Sequence, residues 1–161
     1  MICMKNNRGR NITFWVILSE ITGLLAGLLS RNATTIYGQM ALKPPLAPPG
    51  WLFPVVWTVL YALMGVGAGL VASQMPSQER NRSLNLMVVQ LVVNFFWSLI
   101  FFNAGAYGFA LLWLLLLLVL VIWMTVEFGK VFPLAALLQI PYILWLLFAA
   151  YLNAAVWYLN K

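Results

Sequence analysis

This sequence predicts an all-α membrane protein, a bundle of five transmembrane helices, and three observations predict it. Of its 161 residues 64% are hydrophobic and only 7% are charged, where a soluble domain carries roughly 25% charged residues. Five stretches supply the ~20 mostly apolar residues that one membrane-crossing helix needs. Residues 111–124 are apolar without interruption, which excludes the polar–apolar alternation of a membrane barrel. The five spans use nearly the whole length, so residues 1–161 form one transmembrane domain.

Helix one is expected at residues 12–29. Lys5, Arg8 and Arg10 precede it, as in a signal peptide, but no convincing small-residue cleavage site follows, so an uncleaved helix is expected. Residues 30–49 are expected to be the longest loop. Pro44-Pro45 and Pro48-Pro49 forbid a helix up to Gly50. Helix two is expected at residues 50–73, and residues 75–82 form a polar turn around Pro76. Helix three follows at residues 83–102, then a tight turn at Asn103. Helix four is expected at residues 107–128, broken by Gly129-Lys130. Helix five is expected at residues 133–159, with Pro133 suited to its first turn. There is no internal repeat, and an odd helix count argues against paired inverted repeats.

The formal net charge is +6, and the basic residues lie in tails and loops. They set orientation and form no aromatic-interleaved patch, so no nucleic-acid partner is expected. Lys5, Arg8, Arg10, Arg80, Arg82 and Lys130 fall on one side; Arg31, Lys43 and Lys161 fall on the other. The basic side faces the cytoplasm, so the N-terminus is expected there and the Pro-rich loop outside. One cysteine, Cys3, and no histidine exclude an intrachain disulfide and most catalytic dyads; no metal site is expected.

Three helix faces could carry chemistry. Gln90, Asn94, Trp97, Ser98 and Phe101 recur at helical spacing in helix three. In lipid such polar groups must be satisfied, so this face points into the bundle. Tyr142, Trp145, Ala149 and Asn153 form a similar face in helix five, where small Ala149 leaves room. Trp57, Tyr61 and Met64 line helix two. Plain interhelical hydrogen bonding, worth about 0.6 kcal/mol per contact, would also account for the polar members. The stiff segment with Lys43 and Pro48, then Trp51, leads into these faces like the mouth of a preformed pocket. Gly23/Gly27 and Gly65/Gly69 mark either intrachain contacts or a dimer face. Glu20, deep in helix one, is expected to face amide or backbone partners. Trp113 and Trp123 are expected to face lipid.

Read together, these residues resemble the TspO/MBR family of tryptophan-rich sensory proteins, translocator proteins and peripheral benzodiazepine receptors. The likeness runs through Tyr37, Leu42-Lys43-Pro44 with Pro48-Pro49, Trp51, Phe53, Trp57 and Leu60-Tyr61-x-x-Met64-Gly65. It continues through Gln90-Leu91, Asn94, Trp97-Ser98 and Phe101-Phe102. It ends with Pro141-Tyr142-x-x-Trp145, Phe148-Ala149, Leu152-Asn153, Trp157 and Leu159-Asn160. Leu46 stands where the family often has Trp, Trp113 near a position that is often acidic, and Ile36 where a Trp is usual. The resemblance implies five transmembrane helices, often a homodimer, and a pocket under the first long loop. It implies a receptor, sensor or translocator that binds porphyrins or other flat apolar ligands, with no obligatory cofactor. By motif position the ligand-binding residues would be Lys43, Pro48, Trp51, Trp57, Tyr61, Gln90, Asn94, Trp97, Tyr142, Trp145, Ala149 and Asn153. Two alternatives stay open. One is a light-dependent porphyrin-degrading enzyme with Trp57 and Trp145 as reactants. The other is a lipid or sterol transporter or membrane scaffold, to which the loose sterol pattern Val156-x-Tyr158-x-x-Lys161 is relevant.

Overall fold

The computed structural model describes residues 2–40 and 42–160, with the side chains of residues 2–6 and 40 excepted. Lys161 and the side chains of Cys3 and Lys5 lie outside the described residues. The chain runs as α1 (Ile2–Met40), α2 (Leu52–Ala72), α3 (Gln78–Ser98), a π-helical turn (Leu99–Asn103), α4 (Tyr107–Val131), α5 (Pro133–Leu137) and α6 (Ile140–Leu159). Five helical segments are long and apolar enough to cross a membrane, and no strand occurs among the described residues. The chain is therefore an integral, multi-pass, all-α membrane protein.

The helices close into a ring: α1 packs on α2 and α3, α3 on α4, and α4 on α5 and α6. The α2–α6 junction is the sparsest contact in that ring. Glycine sets the α1–α2 crossing. A methyl group on Gly65 would collide with the Val16 backbone, and one on Gly69 with that of Ile12. Backbones this close need a missing side chain, as at small-residue membrane interfaces. The Gly65/Gly69 pair is thus an intrachain contact. On α1, Gly23 lies against the Tyr61 ring, while Gly27 faces open space.

Several boundaries differ from expectation. The first helix does not stop at residue 29; it continues to Met40. Its hydroxyls satisfy themselves on its own backbone, Thr34 Oγ1 on the Ser30 carbonyl and Thr35 Oγ1 on that of Arg31. Tyr37 then packs edge-on against Phe101 and Phe102. The third helix begins five positions early, because Ser77 caps it by accepting from the Arg80 N–H at 3.1 Å. Gly129-Lys130 does not break α4. It ends at Val131, and the next residue, Phe132, precedes Pro133 and is extended at φ −154°, ψ 104°. The last helix is interrupted after Leu137, where Gln139 turns inward and donates to the Ala135 carbonyl at 3.1 Å.

Two side-chain expectations are corrected. Trp113 does not simply face lipid: it is half-buried and its indole N–H donates to the Val93 carbonyl of α3 at 2.7 Å. Glu20 is half-buried on α1 but makes no hydrogen bond or ion pair among the described residues. Trp123 is exposed, as expected.

Candidate functional site

Helical spacing puts Gln90, Asn94 and Trp97 on one face of α3, and Tyr142, Ala149 and Asn153 on one face of α6. All six are buried, and the two faces meet. The Tyr142 hydroxyl is the hub. It accepts from Asn94 Nδ2 at 2.8 Å and donates to Gln90 Oε1 at 3.0 Å. Gln90 Nε2 is left with the thioether sulfurs of Met87 at 3.3 Å and Met64 at 3.5 Å, both weak acceptors.

One turn further along, a second link joins three helices. The Trp97 indole N–H donates to Asn153 Oδ1 at 3.3 Å, and Asn153 Nδ2 donates to the Tyr107 carbonyl of α4 at 2.8 Å. Phe101 stacks on Trp97 at 5.3 Å between centroids. The π-helical turn aims adjacent Phe101 and Phe102 at the same neighbour, Tyr37. In a bilayer such networks hold only when their polar members find one another.

From α2, Trp57 packs on Tyr61 at 5.5 Å and edge-on against Tyr142 at 6.2 Å. Trp145 stands one turn away along α2, edge-on to Phe53 at 5.9 Å and near Phe148 at 5.6 Å. It borders a cavity of about 480 Å³ between α2 and α6, shared with Val55, Val59, Leu60, Leu144 and Phe148. The cavity is apolar and opens outward at the sparsely packed junction of α2 and α6. Trp57, Tyr61, Gln90, Asn94, Trp97, Tyr142, Ala149 and Asn153 are thus gathered at the centre, with Trp145 at its outer edge.

Lys43, Pro48 and Trp51 are not part of that cluster. Lys43 donates to the Gly38 carbonyl at 2.9 Å and lies over the Tyr37 ring. Pro48 is half-buried, and Trp51 is exposed just before α2. The loop holding them is folded by an Ala47 N–H to Pro44 carbonyl bond at 3.0 Å.

Asn160 carries a role that spacing alone did not reveal. Its side-chain amide pairs with the Leu42 backbone in both directions, each at 3.0 Å. The start of the loop is thereby clamped to the end of α6. The only signal for this in the sequence was the Leu159-Asn160 pair at the close of the family pattern.

The same order of residues appears in known proteins. The model of the TspO/MBR family matches residues 15–159. "Tryptophan-rich protein TspO" of Chlorobaculum tepidum is 36% identical over 86% of this chain and 88% of its own length. "Translocator protein" of Bos taurus is 32% identical over 91% of this chain and 88% of its own. "Protein CrtK" of Rhodobacter capsulatus is 39% identical over 73% and 74%. With five membrane-crossing helices and a match over nearly its full length, this chain belongs to the TspO/MBR family.

Proposed function

We propose that this chain binds a flat apolar tetrapyrrole, a porphyrin in the first instance, at the junction of α2, α3 and α6, and acts as a membrane receptor, sensor or translocator. One observation carries the reading: two amides and a phenol joined at membrane depth beside Trp57, with Trp145 at the edge of an apolar cavity. Apolar packing needs no such group, and polar residues within the bilayer, costly unless paired, commonly mark a ligand or ion site. The macrocycle would enter between α2 and α6 and lie against the aromatic rings. Asn94 and Tyr142 would turn their hydrogen bonds toward it. Propionates would sit at the Trp51 and Phe53 N–H groups beginning α2, since Leu52 N–H is engaged by the Pro49 carbonyl and Pro54 has none; Lys43 would have to leave the Gly38 carbonyl to join them.

This reading calls for no obligatory cofactor. The same reading takes in a homodimer and an N-terminus in the cytoplasm. Support for that orientation is the gathering of Arg8, Arg10, Arg80, Arg82 and Lys130 at one end of the bundle. Trp fluorescence during protoporphyrin titration tests the binding. Wild type is expected to quench saturably and Trp145→Ala to bind more weakly. Equal, non-saturating quenching in both refutes it.

A second reading, light-dependent porphyrin degradation, is favoured by one contact. Trp145 packs on Phe53, one turn from Trp57, so a ligand between α2 and α6 would meet both indoles. An excited porphyrin would then draw electrons from the tryptophans. Lipid or sterol transport or scaffolding is the third reading, and flux in sealed vesicles separates it from the others.

A further inference from the structure

A second cavity lies at the opposite end of the bundle from the Pro-rich loop. It measures about 320 Å³ and sits between the first turns of α1, the end of α2 and the start of α3. Arg10, Asn11, Ser73, Gln74 and Arg80 border it, and among the described residues no carboxylate does.

The charges around it are unevenly matched. Glu127 takes Lys130 at 2.7 Å and Arg82 at 3.6 Å. Arg8 lies over the Phe132 ring at 5.7 Å. Arg80 is held rigidly: its Nε and Nη2 both donate to the Ala72 carbonyl, at 3.3 and 2.8 Å, and Nη1 reaches Asn81 at 3.4 Å. A guanidinium has five N–H groups, so two of them remain for a ligand. Arg10 makes no hydrogen bond or ion pair among the described residues. Asn11 Nδ2 donates to Ser73 Oγ at 3.2 Å and Gln74 Nε2 to the Leu70 carbonyl at 3.0 Å, and each amide keeps a second N–H.

The position of this cavity selects the kind of anion. It lies where the apolar stretches of α1 and α3 give way to Arg8, Arg10, Arg80 and Arg82, and where α2 ends at Ala72. That is the depth of lipid headgroups. Below Arg10, residues Phe14, Ile17 and Ile21 continue the same face of α1, and all three are exposed. A cation above an unbroken apolar file fits a phosphate with acyl chains attached, and not a freely soluble anion. Basic pockets between transmembrane helices take anionic headgroups in this way.

We infer that this cavity is a binding site for the phosphodiester headgroup of an anionic lipid, with Arg10 and Arg80 as the charged contacts and the chains along α1. Native mass spectrometry of the purified protein with phosphatidylglycerol or phosphatidylcholine tests it. Wild type should retain phosphatidylglycerol in preference, and less of it as salt rises. Arg10→Gln should lower that retention about fivefold, the weight of one basic residue at an anionic surface, and Arg10→Lys should restore most of it. Arg8→Gln removes the same charge at the same end but outside the cavity, and should change little. The site is refuted if wild type holds both lipids equally, a comparison that needs no variant. It is also refuted if Arg8→Gln loses as much as Arg10→Gln. If millimolar inorganic phosphate displaces the lipid as fully as excess lipid does, the cavity takes soluble anions and the lipid assignment fails.

Discussion

In Tyr142→Phe the ring stays in place and the hydroxyl is lost. Asn94 Nδ2 then loses its acceptor at 2.8 Å, and Gln90 Oε1 its donor at 3.0 Å. Gln90 cannot recover through Nε2, which already depends on two thioethers. Two average interhelical bonds in a bilayer set a lower figure of about 1.2 kcal/mol. Two buried polar atoms left without partners set an upper figure of about 2–6 kcal/mol. Asn94 and Gln90 are closed to solvent, so water cannot step in and the expected loss is about 2–3 kcal/mol. Unfolding in mixed detergent micelles measures it for wild type, Tyr142→Phe, Asn94→Leu and the double variant. The two positions should be coupled by about 1 kcal/mol, since they share a bond. Stability of Tyr142→Phe within about 0.5 kcal/mol of wild type, or strict additivity in the cycle, would refute the account of a closed network.

Gly65→Ala should destabilise by about 1–3 kcal/mol, because its methyl meets the Val16 backbone. Gly27→Ala meets open space and should be neutral or slightly stabilising; thermal denaturation in detergent compares the two, and equal losses would contradict the crossing. Asn160→Ala removes both bonds to Leu42 and should speed hydrogen exchange at the Leu42 amide about tenfold; unchanged exchange would mean the clamp does not hold the loop. Asn94→Leu should weaken porphyrin binding more than Asn103→Leu, since the Asn103 side chain is exposed and donates to the Leu29 carbonyl, away from the cluster; titration by fluorescence decides, and a larger loss at Asn103 reverses the site. If the protein degrades porphyrin under light, Trp57→Phe and Trp145→Phe should slow absorbance loss while binding persists; both matching wild type would clear these indoles of any role as reactants.

The five spans were legible because hydropathy alone identifies them. The extension of α1 was not: residues 30–39 are mostly polar or β-branched, and their helix is held by tertiary contacts such as Tyr37 on Phe101. The faces of α3 and α6 were legible from spacing, and their members do meet. Spacing could not say which atom of Tyr142 would serve which amide, because that depends on how the helices cross. Trp113 shows the same limit. It stands among leucines, yet its one N–H reaches a neighbouring backbone carbonyl, which no apolar pattern reports. In the sequence Arg80 and Arg10 are topology signals, and only their placement around a cavity gives them another meaning.

The π-helical turn at Leu99–Asn103 is closed by the Ala104 N–H reaching back five residues to Leu99 at 3.0 Å. Such a turn holds one residue more than an α-helix would. An α-helix advances about 100° per residue, so everything after the turn is set by that single surplus position. Deleting one residue here would leave a regular helix, yet it would swing the approach to α4 by more than a quarter revolution. Phe101 and Phe102 could then no longer both reach Tyr37. For anyone redesigning this bundle, the length of this segment is fixed more tightly than its composition: side chains can be exchanged in place, but a gap or insertion shifts the phase of everything downstream.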